Sequence, residues 1–128
     1  MTLDDKSLRR LAAVHPDLSR VIQAAAATSP LDFTVTEGMR TLERQKQLLA
    51  AGATRTLNSR HLTGHAVDLA VVIDQQIRWD WPLYPKLAEI VKAAAKKCGV
   101  PVEWGGDWTT FKDGPHYQLP FDQYPKEK

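Results

Sequence analysis

An α+β fold in one small domain, with a short and mostly antiparallel sheet packed with helices, is predicted by three observations. Apolar residues recur at helical spacing in two N-terminal segments and in one long later segment. Between them lie β-branched, alternating runs at Asp32–Glu37 and His65–Val72. A third short run, Gln76–Trp79, follows the second across Asp74-Gln75, the spacing of a hairpin.

The elements follow in order. Leu3–Val14 carries Leu8, Leu11 and Ala12 on one helical face, and Pro16–Thr28 carries Leu18, Val21, Ile22 and Ala25. His15-Pro16 separates the two, because proline drives the residue before it out of the helical region. Gly38 ends the first strand ahead of an amphipathic helix over Thr41–Ala51, with Arg40 at the junction. Pro82–Cys98 reads as a long helix closed by Gly99, and Val102-Glu103-Trp104 and His116–Leu119 complete the sheet.

Composition narrows the function classes. The chain has 128 residues, 43% hydrophobic and 25% charged, which suits one globular domain over residues 1–128 with a single core. Its 17 Lys and Arg and 15 Asp and Glu are interspersed, giving a net charge of +2, so no basic stripe for nucleic acid is expected. Cys98, the single cysteine, rules out an internal disulfide and reads as a structural residue at a helix end. No apolar run approaches the ~20 residues that span a bilayer, and the first residues lack a basic and apolar leader pattern. Synthesis in the cytoplasm without a signal peptide, no stable membrane insertion and a monomeric state are the corresponding expectations.

Two segments carry the chemistry: Ser59-Arg60-His61-Leu62-Thr63-Gly64-His65-Ala66-Val67-Asp68 and Asp113-Gly114-Pro115-His116. Side chains alternate along a strand, so Asp68 shares a face with Ala66 and Ala70, while His65 travels with Val67, Leu69 and Val71. His65 is therefore expected to be a hydrogen-bonded structural histidine. His61 precedes the strand, and Gly64 permits a bend that returns its imidazole over Asp68. His116 follows Gly114-Pro115 at the start of another strand. Catalytic zinc takes three protein ligands and leaves a position for water, and His61, Asp68 and His116 would supply the three. A carboxylate that is not a ligand is then needed to move the water's proton, and Asp113 is the candidate.

Ser59-x-His61-x-x-Gly64-x-Ala66-x-Asp68, followed by Trp104-Gly105-Gly106-Asp107-Trp108 and Asp113-x-Pro115-His116-Tyr117, resembles the zinc peptidases of the M15 family. That family includes D-alanyl-D-alanine carboxypeptidases and dipeptidases and phage L-alanyl-D-glutamate endopeptidases. The likeness runs from about Glu37 to Leu119 and implies the sheet-and-helix domain shared with the Hedgehog signalling domain. It implies Zn2+ on His61, Asp68 and His116 with Asp113 as general base. Members that cleave D-alanyl-D-alanine commonly carry glutamate at that base position, so the aspartate favours the endolysin branch. Glu37-Gly38-Met39-Arg40-Thr41 is similar to the segment whose arginine contacts substrate oxygens, which makes Arg40 a candidate for binding a carboxylate or stabilising the oxyanion, although Met39 replaces the usual aromatic residue.

Further substrate-side candidates are Ser59, Glu103 and Trp104. Ser59 is expected to orient its loop rather than act as a nucleophile, Arg60 to face solvent, and Trp79 and Trp81 to lie in the core. Trp104 and Trp108 are read either as core or as a substrate wall, and Glu103 and Asp107 as loop-bonding or cleft-lining residues.

The resemblance implies an endolysin that hydrolyses the L-alanyl-D-glutamate bond of the peptidoglycan stem peptide and is released to the wall after a holin opens the inner membrane. The alternatives are a D-alanyl-D-alanine carboxypeptidase and a zinc-stabilised binding module without hydrolysis. Two histidines and a carboxylate also suit a non-haem iron oxygenase, but His65-Ala66-Val67-Asp68 has one residue too many for its His-x-Asp spacing.

Overall fold

The strand β2, Ala66–Ile73, organises the molecule because three other strands pair with it. A computed structural model describes residues 1–52, 59–109 and 112–125. Strand β1, Asp32–Glu37, pairs antiparallel along one edge of β2, with Glu37 opposite Asp68 after an irregularity at Val35/Glu37. The other edge is shared end to end. Strand β5, His116–Gln118, covers Ala66 to Asp68, and β3, Gln76–Arg78, covers Val71 to Ile73. Strand β4, Glu103–Trp104, pairs antiparallel with β5 and completes the order β1-β2-β5-β4. The β2–β3 hairpin turns through Asp74 and Gln75, both at positive φ (52° and 64°), the geometry of a turn whose twist matches its strands.

One face of the sheet is the core. Val67, Leu69 and Val71 point into it and meet α2, Pro16–Thr28, and α4, Leu83–Cys98. The α4 helix stops at Gly99 in the left-handed region, which glycine adopts without strain. Helix α1, Asp5–Leu11, is shorter than the predicted Leu3–Val14, because Asp4 caps its start by accepting from Ser7 N. It seals the free edge of β1: Ser7 Oγ accepts from Val35 N at 2.8 Å and Arg10 Nη1 donates to Val35 O at 2.7 Å. Helix α3, Leu42–Ala50, buries only Gln45. No helix among the described residues is long and apolar enough to cross a membrane.

Two expectations about burial are corrected. Arg60 does not face solvent: it is 2% exposed and donates to Leu119 O, Pro120 O and Tyr124 O, with its guanidinium 4.2 Å from the Phe121 ring centroid. The returning C-terminal segment supplies the carbonyls that take the place of water at Nε and Nη2. Trp79 and Trp81 do not lie in the core; they are 58% and 47% exposed. They occupy the link between β3 and α4, where one stacks on Tyr84 and the other on Trp104 from outside.

Candidate metal centre

Each ligand is aimed by a different local device. Ser59 Oγ accepts from His61 N and caps the short 3-10 helix Arg60–Thr63, the orienting role expected of it. Gly64, at φ 75°, then turns the chain into β2, with Ala13 O only 3.1 Å from where a Cβ would stand. This bend brings His61 Nε2 to 3.1 Å from Asp68 Oδ1. Register does the rest, since His116 lies directly opposite Asp68 and its Nδ1 is 3.3 Å from the same oxygen. The donor atoms of His61, Asp68 and His116 all lie within 4.8 Å of one another.

The hydrogen bonds on the far sides of the rings decide which nitrogens are free. Gly38 O can only accept, so His61 donates from Nδ1 at 2.8 Å and keeps Nε2 for a metal. Glu103 Oε1 accepts from Gln118 Nε2 at 3.1 Å, which turns the Gln118 carbonyl toward His116. His116 Nε2 donates to that oxygen at 2.7 Å and keeps Nδ1 for the metal. Bonds of ~2.0–2.1 Å at a tetrahedral angle place ligand atoms about 3.3 Å apart, close to the two imidazole–carboxylate distances here. The donor set therefore fits a divalent ion.

The carboxylates differ in environment. Burial works against ionisation of Asp68, but His116 and His61, which donate to and attract it whenever their facing nitrogens carry a proton, outweigh burial and hold the carboxyl well below its usual range. Burial also pulls the His116 imidazole down, yet its contacts with Asp68 and Gln118 favour the charged form and raise it above 6.5. Asp113 goes the other way: burial and the nearby Asp68 charge push its carboxyl above 3.8, against the pull of His116, His61 and Arg40. A non-ligand carboxyl so raised is suited to proton transfer. Its backbone is fixed by Asp113 N donating to Gly105 O at 3.1 Å, a close approach that a Cβ at Gly105, 2.3 Å from Asp113 O, would block.

Arg40 joins the site from the β1 side. Its Nε and Nη2 donate to Glu37 Oε1 and Oε2 at 2.9 and 2.5 Å, and its Nη1 donates to Gln45 Oε1 at 2.7 Å. Nη2 also lies 3.6 Å from Asp68 Oδ2.

The remaining candidates separate. His65 is buried and bonds Thr63 Oγ1 through Nδ1, the structural role expected of it. Trp104 is 7% exposed and donates from Nε1 to Gly114 O, which braces the loop that carries Asp113. Trp108 takes the position beside the metal ligands, its ring 5.1 Å from that of His116. Glu103 acts through Gln118, and Asp107 pairs with Lys92 at the surface. Two supporting residues have no role in the sequence reading: Gln118 lies two residues from His116 on the same strand face, a parity signal for its contact, and Glu37 opens the segment that carries Arg40 but shows its partner only in the structure.

Gln118→Leu is expected to weaken metal binding by about tenfold or more, because His116 loses the acceptor that orients its ring. Competition with a chromogenic chelator reads this directly, and an unaltered affinity would show that packing alone holds the imidazole.

A His–Asp–His donor set on a small α+β sheet, with the non-ligand Asp113 carboxyl in its electrostatic reach, is an arrangement suited to a metallohydrolase. The chain belongs to the phage L-alanyl-D-glutamate peptidase family, whose model matches residues 1–119. It is similar to the L-Ala D-Glu endopeptidase ChiX of Serratia marcescens, with 47% identity and a TM-score of 0.90 over 97% of this chain and 94% of that one. It is 33% identical to the L-alanyl-D-glutamate peptidase of Escherichia phage T5 over 111 residues, 84% of this chain and 81% of the relative. The D,D-dipeptidase VanXYg, at 20% identity and TM-score 0.56 over 83% of this chain and 50% of its own, shares the fold.

Proposed function

We propose that the chain is a zinc-dependent endopeptidase that hydrolyses the L-alanyl-D-glutamate bond of peptidoglycan stem peptides. The observation that carries the reading is the convergence of His61 Nε2, Asp68 Oδ1 and His116 Nδ1 beside a raised Asp113 carboxyl, in a chain of this family.

Zinc, when bound, supplies a Lewis acid that lowers the pKa of a coordinated water to about 7 and polarises a carbonyl. The protein does the remainder. Asp113 accepts the proton of the attacking water on its carboxylate and returns it to the departing amine, so no acyl-enzyme forms. Arg40 is paired with Glu37 and held by Gln45, and its Nη2, near Asp68 Oδ2, is the group placed to donate to a developing oxyanion or a substrate carboxylate. Trp108 limits solvent on the His116 side. Ser59 contributes only by capping the segment that carries His61.

The same reading implies action at the cell wall as a phage or prophage endolysin, after release through a holin, by a monomer that needs no nucleic acid.

Mass spectrometry of digested Gram-negative peptidoglycan tests the bond. The expected products keep L-alanine on the muramyl lactyl group and expose new amino groups on D-glutamate, without new reducing ends. Free D-alanine as the main product would replace this assignment with a carboxypeptidase, and the absence of any product from the metal-loaded protein would leave a binding module.

A further inference from the structure

Two surface features flank the ligand set on opposite sides of β2, and catalysis uses neither. Toward β3 and β5, Trp79 and Trp81 are largely exposed. The Trp81 ring abuts the loop that carries Asp113, with its Cζ3 3.0 Å from the position of a Cβ on Gly114. Trp79 stacks on Tyr84 at 6.2 Å between centroids, and Tyr84 flanks the same glycine. Trp81 therefore borders the loop that carries Asp113, and Trp79 is connected to the same side through Tyr84. Toward β1, a cleft of about 530 Å³ is lined by Lys6, Arg9 and Arg10 and reaches Glu37 and Gly38. Those last two residues hold Arg40 and His61. The polarity is built into the sheet, because β1 and β5 pair with opposite edges of β2 at Asp68 itself.

A stem peptide cut between L-alanine and D-glutamate has a matching asymmetry. On its acyl side a single L-alanine separates the bond from the lactyl group of the muramyl sugar, a reach of about 7 Å for two chain links. On its amine side the chain continues through the γ-carboxyl of D-glutamate, which leaves the α-carboxylate free, with further carboxylates beyond. The C–H faces of a pyranose stack on indole rings, and carboxylates seek cations.

We propose that the substrate crosses the metal centre with its sugar end on Trp79 and Trp81 and its acidic end toward the Lys6–Arg9–Arg10 cleft. This rests on the bond assignment made above, and it adds a glycan subsite and a carboxylate subsite to it.

The test compares kcat/KM for three substrates: a muramyl tetrapeptide, the same peptide with an acetyl group in place of the sugar, and the muramyl peptide with its carboxylates amidated. Trp81→Ala and Trp79→Ala should each reduce the advantage conferred by the sugar about fivefold or more, and Trp81→Phe should keep most of it. Lys6→Ala with Arg9→Ala should reduce the advantage conferred by the carboxylates about twofold to fivefold and leave the sugar advantage in place. Because Trp81 packs on the catalytic loop, Trp79→Ala decides the matter if Trp81→Ala does not fold. An unchanged sugar advantage in Trp79→Ala overturns the proposal, as does a crossed pattern in which the tryptophan variants act on the carboxylate advantage. Failure of the bond assignment itself would appear earlier and separately, as cleavage of the wild-type substrates at another bond or not at all.

Discussion

Asp113→Asn is expected to lower turnover by about 100-fold or more while the metal content stays at the wild-type level. The amide keeps the size and polarity of the carboxyl but cannot take a proton from the attacking water. Asp113 is not in the donor set of His61, Asp68 and His116, so the metal should remain. The wild-type rate should also depend on pH in a particular sense. A base must be ionised to act, and burial together with Asp68 raises this carboxyl above 3.8. Activity that depends on ionised Asp113 is therefore present above its pKa and lost as pH falls through it, with burial raising that pH and a bound cation lowering it. Metal content and single-turnover rates measured on the same preparation separate the two effects. Near-normal turnover in Asp113→Asn would move the base to another group.

His61→Ala and His116→Ala should each remove most of the bound metal, and turnover with it, since three ligands leave none to spare. Full metal occupancy in both variants would exclude this centre. His65→Ala should keep its metal, because that imidazole bonds Thr63 away from the donor set. Protons compete with the metal for the same nitrogens. His116 binds its proton more tightly than a free imidazole, so metal affinity should begin to fall at a pH above 6.5 and continue to fall as pH decreases. Metal titrations across that range, with Gln118→Leu beside the wild type, show whether the oriented His116 governs the pH dependence.

The strands and helices were largely legible because their signals are local. The alternation of Asp32–Glu37 and the apolar spacing of Pro16–Thr28 each mark an element whose boundaries the structure reproduces. Parity along β2 separated Asp68 from Val67 and Leu69 before any pairing was known, and the core contains Val67 and Leu69 as that parity requires. Arg60 and Trp81 depart from the sequence expectation for one shared reason. Their surroundings come from remote segments: the C-terminal carbonyls around one, and an aromatic already covered by its own neighbours beneath the other. A single residue type carries no information about such partners.

The sequence by itself determined the element order, the turn chemistry and the residue types available to a metal, because these depend on neighbours a few positions away. Only the tertiary structure decided how the donors meet. The antiparallel register sets His116 opposite Asp68, and Gly38 O and Gln118 Oε1 choose the nitrogen that each imidazole offers. Register and tautomer are products of long-range pairing, in which groups far apart in the chain satisfy one another's hydrogen bonds, and no local pattern encodes them.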